Sequence, residues 1–162
     1  MIDLSLEVCS LYAHPIDGRG RDAEKQAVAD IVREIFGDRP ILHRDDGSPY
    51  IQDFEGCISV SHGAGTAVLA VSDTPVGVDI EENRAQLQRV SHKFVNPEDE
   101  SPSLLHAWTA KEAAFKAAGI AGVTVSEIVV KQSAAFVRDR RFALRYIPFG
   151  PALIALATPA KQ

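Results

Sequence analysis

Two short stretches hold the side chains best suited to chemistry. In Gly77-Val78-Asp79-Ile80-Glu81, apolar residues alternate with acidic ones. That is the period of a β-strand, which turns Asp79 and Glu81 to one face and Val78 and Ile80 to the other. Residues 108–119 carry Trp108, Glu112, Phe115 and Lys116 at helical spacing, and Gly119 stands where a helix would stop. Glu112 and Lys116 share a face, one turn apart. A helix packed beside the strand would bring three carboxylates together with a lysine at their edge. Oxygen-only ligands of this kind suit Mg²⁺, which keeps waters and binds substrate phosphates. Taken singly, either stretch reads as a solvated strand face or as surface charge. The combination, with the tryptophan and the two lysines, marks both out.

The elements that must position these groups follow from the rest of the pattern. Residues 57–63 alternate and end in a turn, residues 66–71 form an apolar run, and Ser72-Asp73-Thr74-Pro75 is a turn. Residues 57–81 are therefore expected as three consecutive antiparallel strands. Upstream, residues 4–12 read as a strand. A helix is expected over residues 23–36, capped by Asp22 and stopped at Gly37, with a buried stripe of Ala27, Val28, Ile31, Ile35 and Phe36. Arg19, Arg21, Lys25 and Arg33 make this the most basic part of the chain. Residues 84–95 have a helical pattern that Asn96-Pro97 breaks, and residues 103–119 form the long helix. Residues 123–131, 134–137, 142–146 and 151–157 read as strands joined by tight turns.

The chain has 162 residues, with 46% hydrophobic and 24% charged, which is globular rather than disordered composition. A net charge of -5 argues against general nucleic-acid binding, although a local cation cluster would still serve an anionic ligand. Cys9 and Cys57 lack metal-ligand spacing and read as buried thiols of a reducing compartment. Met1-Ile2-Asp3 offers no basic region before an apolar core, and no apolar run is long enough to span a bilayer. These features point to the cytoplasm, with no membrane partner.

At Gly77–Glu81 and at residues 108–116 the sequence resembles the 4'-phosphopantetheinyl transferases. That family carries a Gly-x-Asp-x-Glu strand followed by a Trp-x-x-Lys-Glu-x-x-x-Lys helix. The resemblance spans roughly residues 47–128. It implies an α+β fold of two similar lobes, each a helix packed on a small antiparallel sheet, with residues 1–75 as the N-terminal lobe and 76–162 as the C-terminal lobe. This is the two-lobed, surfactin-synthetase-activating type in a short variant. The family's Ser-His pair matches Ser61 and His62. A hydroxyl, an imidazole and free amides at a glycine turn suit phosphate oxygens. Ser48 stands where the family often has a lysine. Lys93, Phe94 and Glu98 fall where the family faces its carrier protein.

The activity implied is Mg²⁺-dependent transfer of 4'-phosphopantetheine from coenzyme A to a serine of an acyl or peptidyl carrier protein, releasing 3',5'-ADP. Asp79, Glu81 and Glu112 are the expected metal ligands. Ser61, His62, Asp79, Lys111 and Lys116 are the expected cofactor contacts, and Glu112 and Lys116 the catalytic pair. Trp108 is expected to be a packing anchor. The alternative is a non-catalytic relative that binds coenzyme A or a carrier protein. No Walker-type loop or kinase signature supports a different phosphotransfer enzyme.

Overall fold

The alternating pattern resolves into two antiparallel sheets in the computed structural model, which describes residues 1–161. Numbered along the chain, the strands are β1 (Ile2–Asp3), β2 (Ser10–Pro15), β3 (Ile41–His43), β4 (Pro49–Ile51), β5 (Cys57–Gly63), β6 (Thr66–Ser72), β7 (Gly77–Glu82), β8 (Val129–Lys131), β9 (Ala134–Val137), β10 (Arg140–Phe149) and β11 (Ala152–Pro159). The α-helices among the described residues are α1 (Arg21–Phe36), α2 (Ala85–Arg89) and α3 (Leu104–Ala118). One sheet has the order β1-β2-β6-β5, the other β7-β11-β10-β9-β8, and β3 pairs with β4 as a separate ribbon. The fold is α+β. No helix among the described residues is long and apolar enough to cross a membrane.

Of four apolar clusters, one joins α2 and Phe94 to α3, and the other three hold the sheets and the two long helices together. Leu11, Ala13, Val68 and Ala70 of the first sheet meet Val78, Ile80, Ile154 and Leu156 of the second in a shared core. On its other side the first sheet packs Ile58, Ala67 and Leu69 against Ala27, Val28, Ile31 and Val32 of α1. The second sheet packs Phe142, Leu144, Ala155 and Ala157 against the alanine-rich face of α3. Small side chains let α3 lie close to the sheet. The Ser103 side chain accepts from the His106 N–H at 3.2 Å to cap its start, and Gly119 ends it in the left-handed region at φ 58°.

Gly77 is the closest point of this packing. A Cβ there would overlap the Ala113 carbonyl oxygen and crowd the Ala117 amide, both of them helix backbone. Backbone has no rotamer through which to retreat, so Gly77→Ala must push α3 off β7. A loss of about 1–3 kcal/mol or more is expected in urea unfolding. Wild-type stability in that variant would show that α3 does not rest on Gly77.

Several expectations change. Strand β7 does not continue the β5–β6 hairpin; it pairs with β11 in the other sheet. Its apolar side faces the shared core and its other side faces α3, so both faces are covered. The first long strand begins at Ser10, because the preceding residues fold back through a Leu6–Cys9 bridge. Helix α1 starts at Arg21 after Gly20, and no side chain caps it; Asp22 lies in its first turn. Val32 belongs to its buried stripe, while Ile35 and Phe36 are half-buried. Residues 84–95 form only α2 and a single 3₁₀ turn at Ser91–Lys93.

Candidate functional site

The two sheets meet at a polar seam between edge strands β5 and β7. Ser59 and Ser61 alternate on one face of β5. Ser59 Oγ accepts from the Val78 N–H at 3.0 Å, and Ser61 Oγ accepts from the Ile80 N–H at 3.3 Å. Each hydroxyl thus satisfies an edge amide that the β11 ladder leaves free. Lys116 closes the seam from α3, its ammonium donating to the carbonyls of Val60 at 3.1 Å and Val78 at 2.9 Å.

Asp79 sits at the centre of this seam and is 5% exposed. Its Oδ1 accepts from Ser61 Oγ at 2.9 Å and lies 3.8 Å from Lys116 Nζ. Its Oδ2 is buried, with no hydrogen-bond partner among the described residues. Burial pushes the Asp79 pKa up to about 7, the Lys116 charge opposes that rise, and the neighbouring Glu81 and Glu112 carboxylates add to it. The Glu112 pKa is also raised, first by burial and then by Glu81, against the pull of Lys116. Glu81 is turned aside. Its Oε1 accepts from Trp108 Nε1 at 3.4 Å and its Oε2 from Arg84 Nη2 at 3.2 Å.

Asp79, Glu81 and Glu112 therefore form one acidic cluster that contains a lysine. An unpartnered buried carboxylate oxygen and mutual anionic repulsion fit a hard divalent cation, for which carboxylate oxygens are natural ligands. The cluster is not a gathered ligand set, however. Among the described residues, no three His, Cys, Asp or Glu side chains stand close enough to hold one ion together. Trp108 and Arg84 account for the position of Glu81.

The Asp79 shift carries a stability consequence. Its pKa is about 7 in the folded chain against 3.8 for a freely solvated aspartate, so the folded state binds the proton more tightly than the unfolded state. Stability is therefore highest below the unfolded value and falls as pH rises toward 7, by an amount on the order of 4 kcal/mol. Asp79→Asn should be more stable than the wild type at pH 8, with the difference vanishing near pH 4. Urea unfolding across that range measures it. Parallel pH profiles for the two proteins would mean that Asp79 is not held in a low-dielectric site.

A cleft of about 1290 Å³ opens beside the seam, between α1 and the end of α3. Its lining includes the charged side chains Arg21, Glu24, Lys25, Arg33, Asp38 and Arg39 and the apolar side chains Val28, Val32, Ile58, Val60, Val76, Phe115 and Ile120. Lys116 and His62 also line it. His62 is half-exposed, with Nε2 3.3 Å from Glu24 Oε2. Ser48 lines the rim, its hydroxyl donating to Asp46 Oδ1 at 2.6 Å.

Three expected cofactor contacts, Ser61, Asp79 and Lys111, do not line the cleft, whereas His62 and Lys116 do. Lys111 is fully buried, 2.7 Å from Asp99 Oδ2, and donates to the Phe94 carbonyl at 2.7 Å. Its neighbour Glu112 faces the seam, and the helix turns Lys111 to another side. Ser61 points into the seam and is 7% exposed, whereas His62, the next residue of β5, faces the cleft. Phe94, expected at a partner surface, is 1% exposed and packs against Trp108 with ring centroids 5.0 Å apart. The Ser59–Ser61 alternation in an apolar strand is the signal that would have revealed the seam. Asp99 carries no local signal, since its partner Lys111 is defined only by tertiary packing. The free thiols divide between Cys9, which is buried with its pKa pushed up to about 11, and Cys57, which is half-buried.

No protein-family model matches the chain, and no curated protein matches it.

Proposed function

We propose that this chain is an enzyme of the 4'-phosphopantetheinyl transferase type. It transfers 4'-phosphopantetheine from coenzyme A to a serine of an apo acyl or peptidyl carrier protein and releases 3',5'-ADP. The observation that carries this reading is the convergence of Asp79, Glu81, Glu112 and Lys116 from β7 and α3 beside a large cleft lined by both cations and apolar side chains. Such a cleft suits a ligand that carries both anionic groups and uncharged parts. The reading treats residues 1–75 and 76–162 as two similar lobes. The packing of α1 on the first sheet and of α3 on the second supports it.

In this reading the serine oxygen bonds to the phosphorus that bears pantetheine, and that phosphorus loses its bond to the bridging pyrophosphate oxygen, which leaves with 3',5'-ADP. The serine proton passes to the Glu112 carboxylate, which burial makes a stronger base than a free glutamate. Asp79, Glu81 and Glu112 are the carboxylates that would hold Mg²⁺, with Glu81 first released from Trp108 and Arg84, and the ion would offset charge building on the pyrophosphate oxygens. Lys116 sits against Asp79 and lines the cleft, within reach of a phosphate drawn to the cluster. Arg21, Lys25 and Arg39 supply counter-charge in the cleft. Intact-mass measurement of a panel of apo-carrier proteins, incubated with coenzyme A and Mg²⁺, tests the reaction directly; a mass gain of one phosphopantetheine on any of them is the expected result.

The second reading is a non-catalytic relative that binds coenzyme A or a carrier protein. It is favoured by Ser48 at the family's lysine position and by carboxylates that do not gather into one ligand set. Coenzyme A binding without transfer to any carrier would establish it.

His62 serves both readings. His62→Ala should weaken coenzyme A binding several-fold and leave unfolding unchanged, since its only ion pair, to Glu24, is exposed and worth little. Equal affinities in a calorimetric titration would remove His62 from the binding surface.

A further inference from the structure

Helix α1 contributes Arg21, Glu24 and Lys25 to the lining of the cleft, and strand β5 contributes Val60 and His62. Glu24 has one cation three residues before it and another directly after it. Among the described residues it pairs with neither. Its carboxylate reaches β5 instead, where Oε2 lies 3.3 Å from His62 Nε2. Arg21 and Lys25 have no ion-pair partner among the described residues. An imidazole Nε2 carries at most one hydrogen, so it serves one anion at a time. A phosphate oxygen that reaches this nitrogen must take the place that Glu24 holds. The pair is exposed and weak, so the carboxylate moves aside at little cost. Its charge stays on α1, however, and repels a second anion brought within a few ångströms.

We propose that Glu24 is a specificity-determining residue of the cleft: by competing with ligand phosphate for His62, it disfavours ligands that bring an anion there. Glu24 acts through His62 and not as one more negative charge in the cleft. That the ligand is coenzyme A rests on the proposed reaction, whereas the competition for His62 does not. Glu24 also shares the first turn of α1 with Asp22, where an acidic side chain favours the helix. That role alone predicts a small loss of stability in Glu24→Gln and no change in binding.

The test is calorimetric titration with coenzyme A and, separately, with inorganic pyrophosphate. It compares the wild type, Glu24→Gln, His62→Ala and the double variant. Asp38→Asn is the control, since Asp38 also lines the cleft but pairs with Arg33. Glu24→Gln keeps the size of the side chain and removes its charge. At low salt it should tighten binding of both probes roughly 3- to 10-fold, the worth of one carboxylate a few ångströms away in a solvated site. In the His62→Ala background the same substitution should change affinity less than about 2-fold. The gain should shrink at about 1 M salt, where charges are screened within about 3 Å. Asp38→Asn should act equally with and without His62. Unchanged affinity of Glu24→Gln for both probes would overturn the proposal, and so would an equal gain in the presence and absence of His62. Failure of every variant to bind either probe would overturn it too, because His62 would then hold no anion. If pyrophosphate responds as expected and no variant binds coenzyme A, the transferase reading fails and the role of Glu24 stands.

Discussion

Glu112→Gln is expected to slow phosphopantetheine transfer by roughly 10²–10⁴, the usual worth of one placed acid–base group. The substitution keeps size and helix propensity and removes the anion. Glu112 lies in the acidic cluster with its pKa raised by burial and by Glu81 against the pull of Lys116, so it is a stronger base than a free carboxylate. Its side chain makes none of the seam's hydrogen bonds, which run through Ser59, Ser61 and Lys116. Folding should therefore survive, and losing one member of a mutually repelling cluster should raise stability slightly. Coenzyme A binding without metal should also survive, because Glu112 does not line the cleft and the cations that do are untouched. The measurement is transfer rate against coenzyme A concentration, with a separate binding titration. Transfer as fast as in the wild type would mean that the reaction is not centred on this cluster.

Lys111→Met is expected to cost about 3–5 kcal/mol of stability, because it leaves the Asp99 carboxylate buried without its counter-charge. Two backbone N–H groups still bond to Asp99, but they do not neutralise it. Adding Asp99→Asn should restore most of the loss, since the penalty lies in the uncompensated charge rather than in the missing contact. Coenzyme A affinity of the folded fraction should be close to that of the wild type. A phosphate-binding lysine would behave in the opposite way, with stability nearly unchanged and affinity reduced. Thermal or urea unfolding together with a coenzyme A titration separates the two.

Much of the local structure was legible in the chain itself. The acidic and apolar alternation at residues 77–81 marked a strand with carboxylates on one face. Ser103 and Gly119 bounded the long helix at its observed ends, because capping chemistry is local. The strands at Ala134–Val137 and Ala152–Pro159 were marked by β-branched and apolar runs between turns. The order of motifs was enough to suggest a reaction class.

Which strands pair, and which side chains meet, was not local. Periodicity assigns β7 two faces but is silent on its neighbour. It joins β11, far along the chain, because the shared core takes Val78 and Ile80 while α3 needs the bare Gly77 backbone. Helical spacing placed Lys111 beside Glu112 in sequence, but one residue is a turn of 100° or so, enough to send one side chain to the seam and the other into the interior. The same alternation along β5 divides Ser61 from His62, one joining the seam and the other facing the cleft. By itself, then, the sequence determined the elements and the residue types that could do chemistry, since period and caps are properties of neighbouring residues. Only the tertiary structure decided which of those residues share a place, since burial and hydrogen bonding between distant segments depend on how the sheets and α3 close on one another.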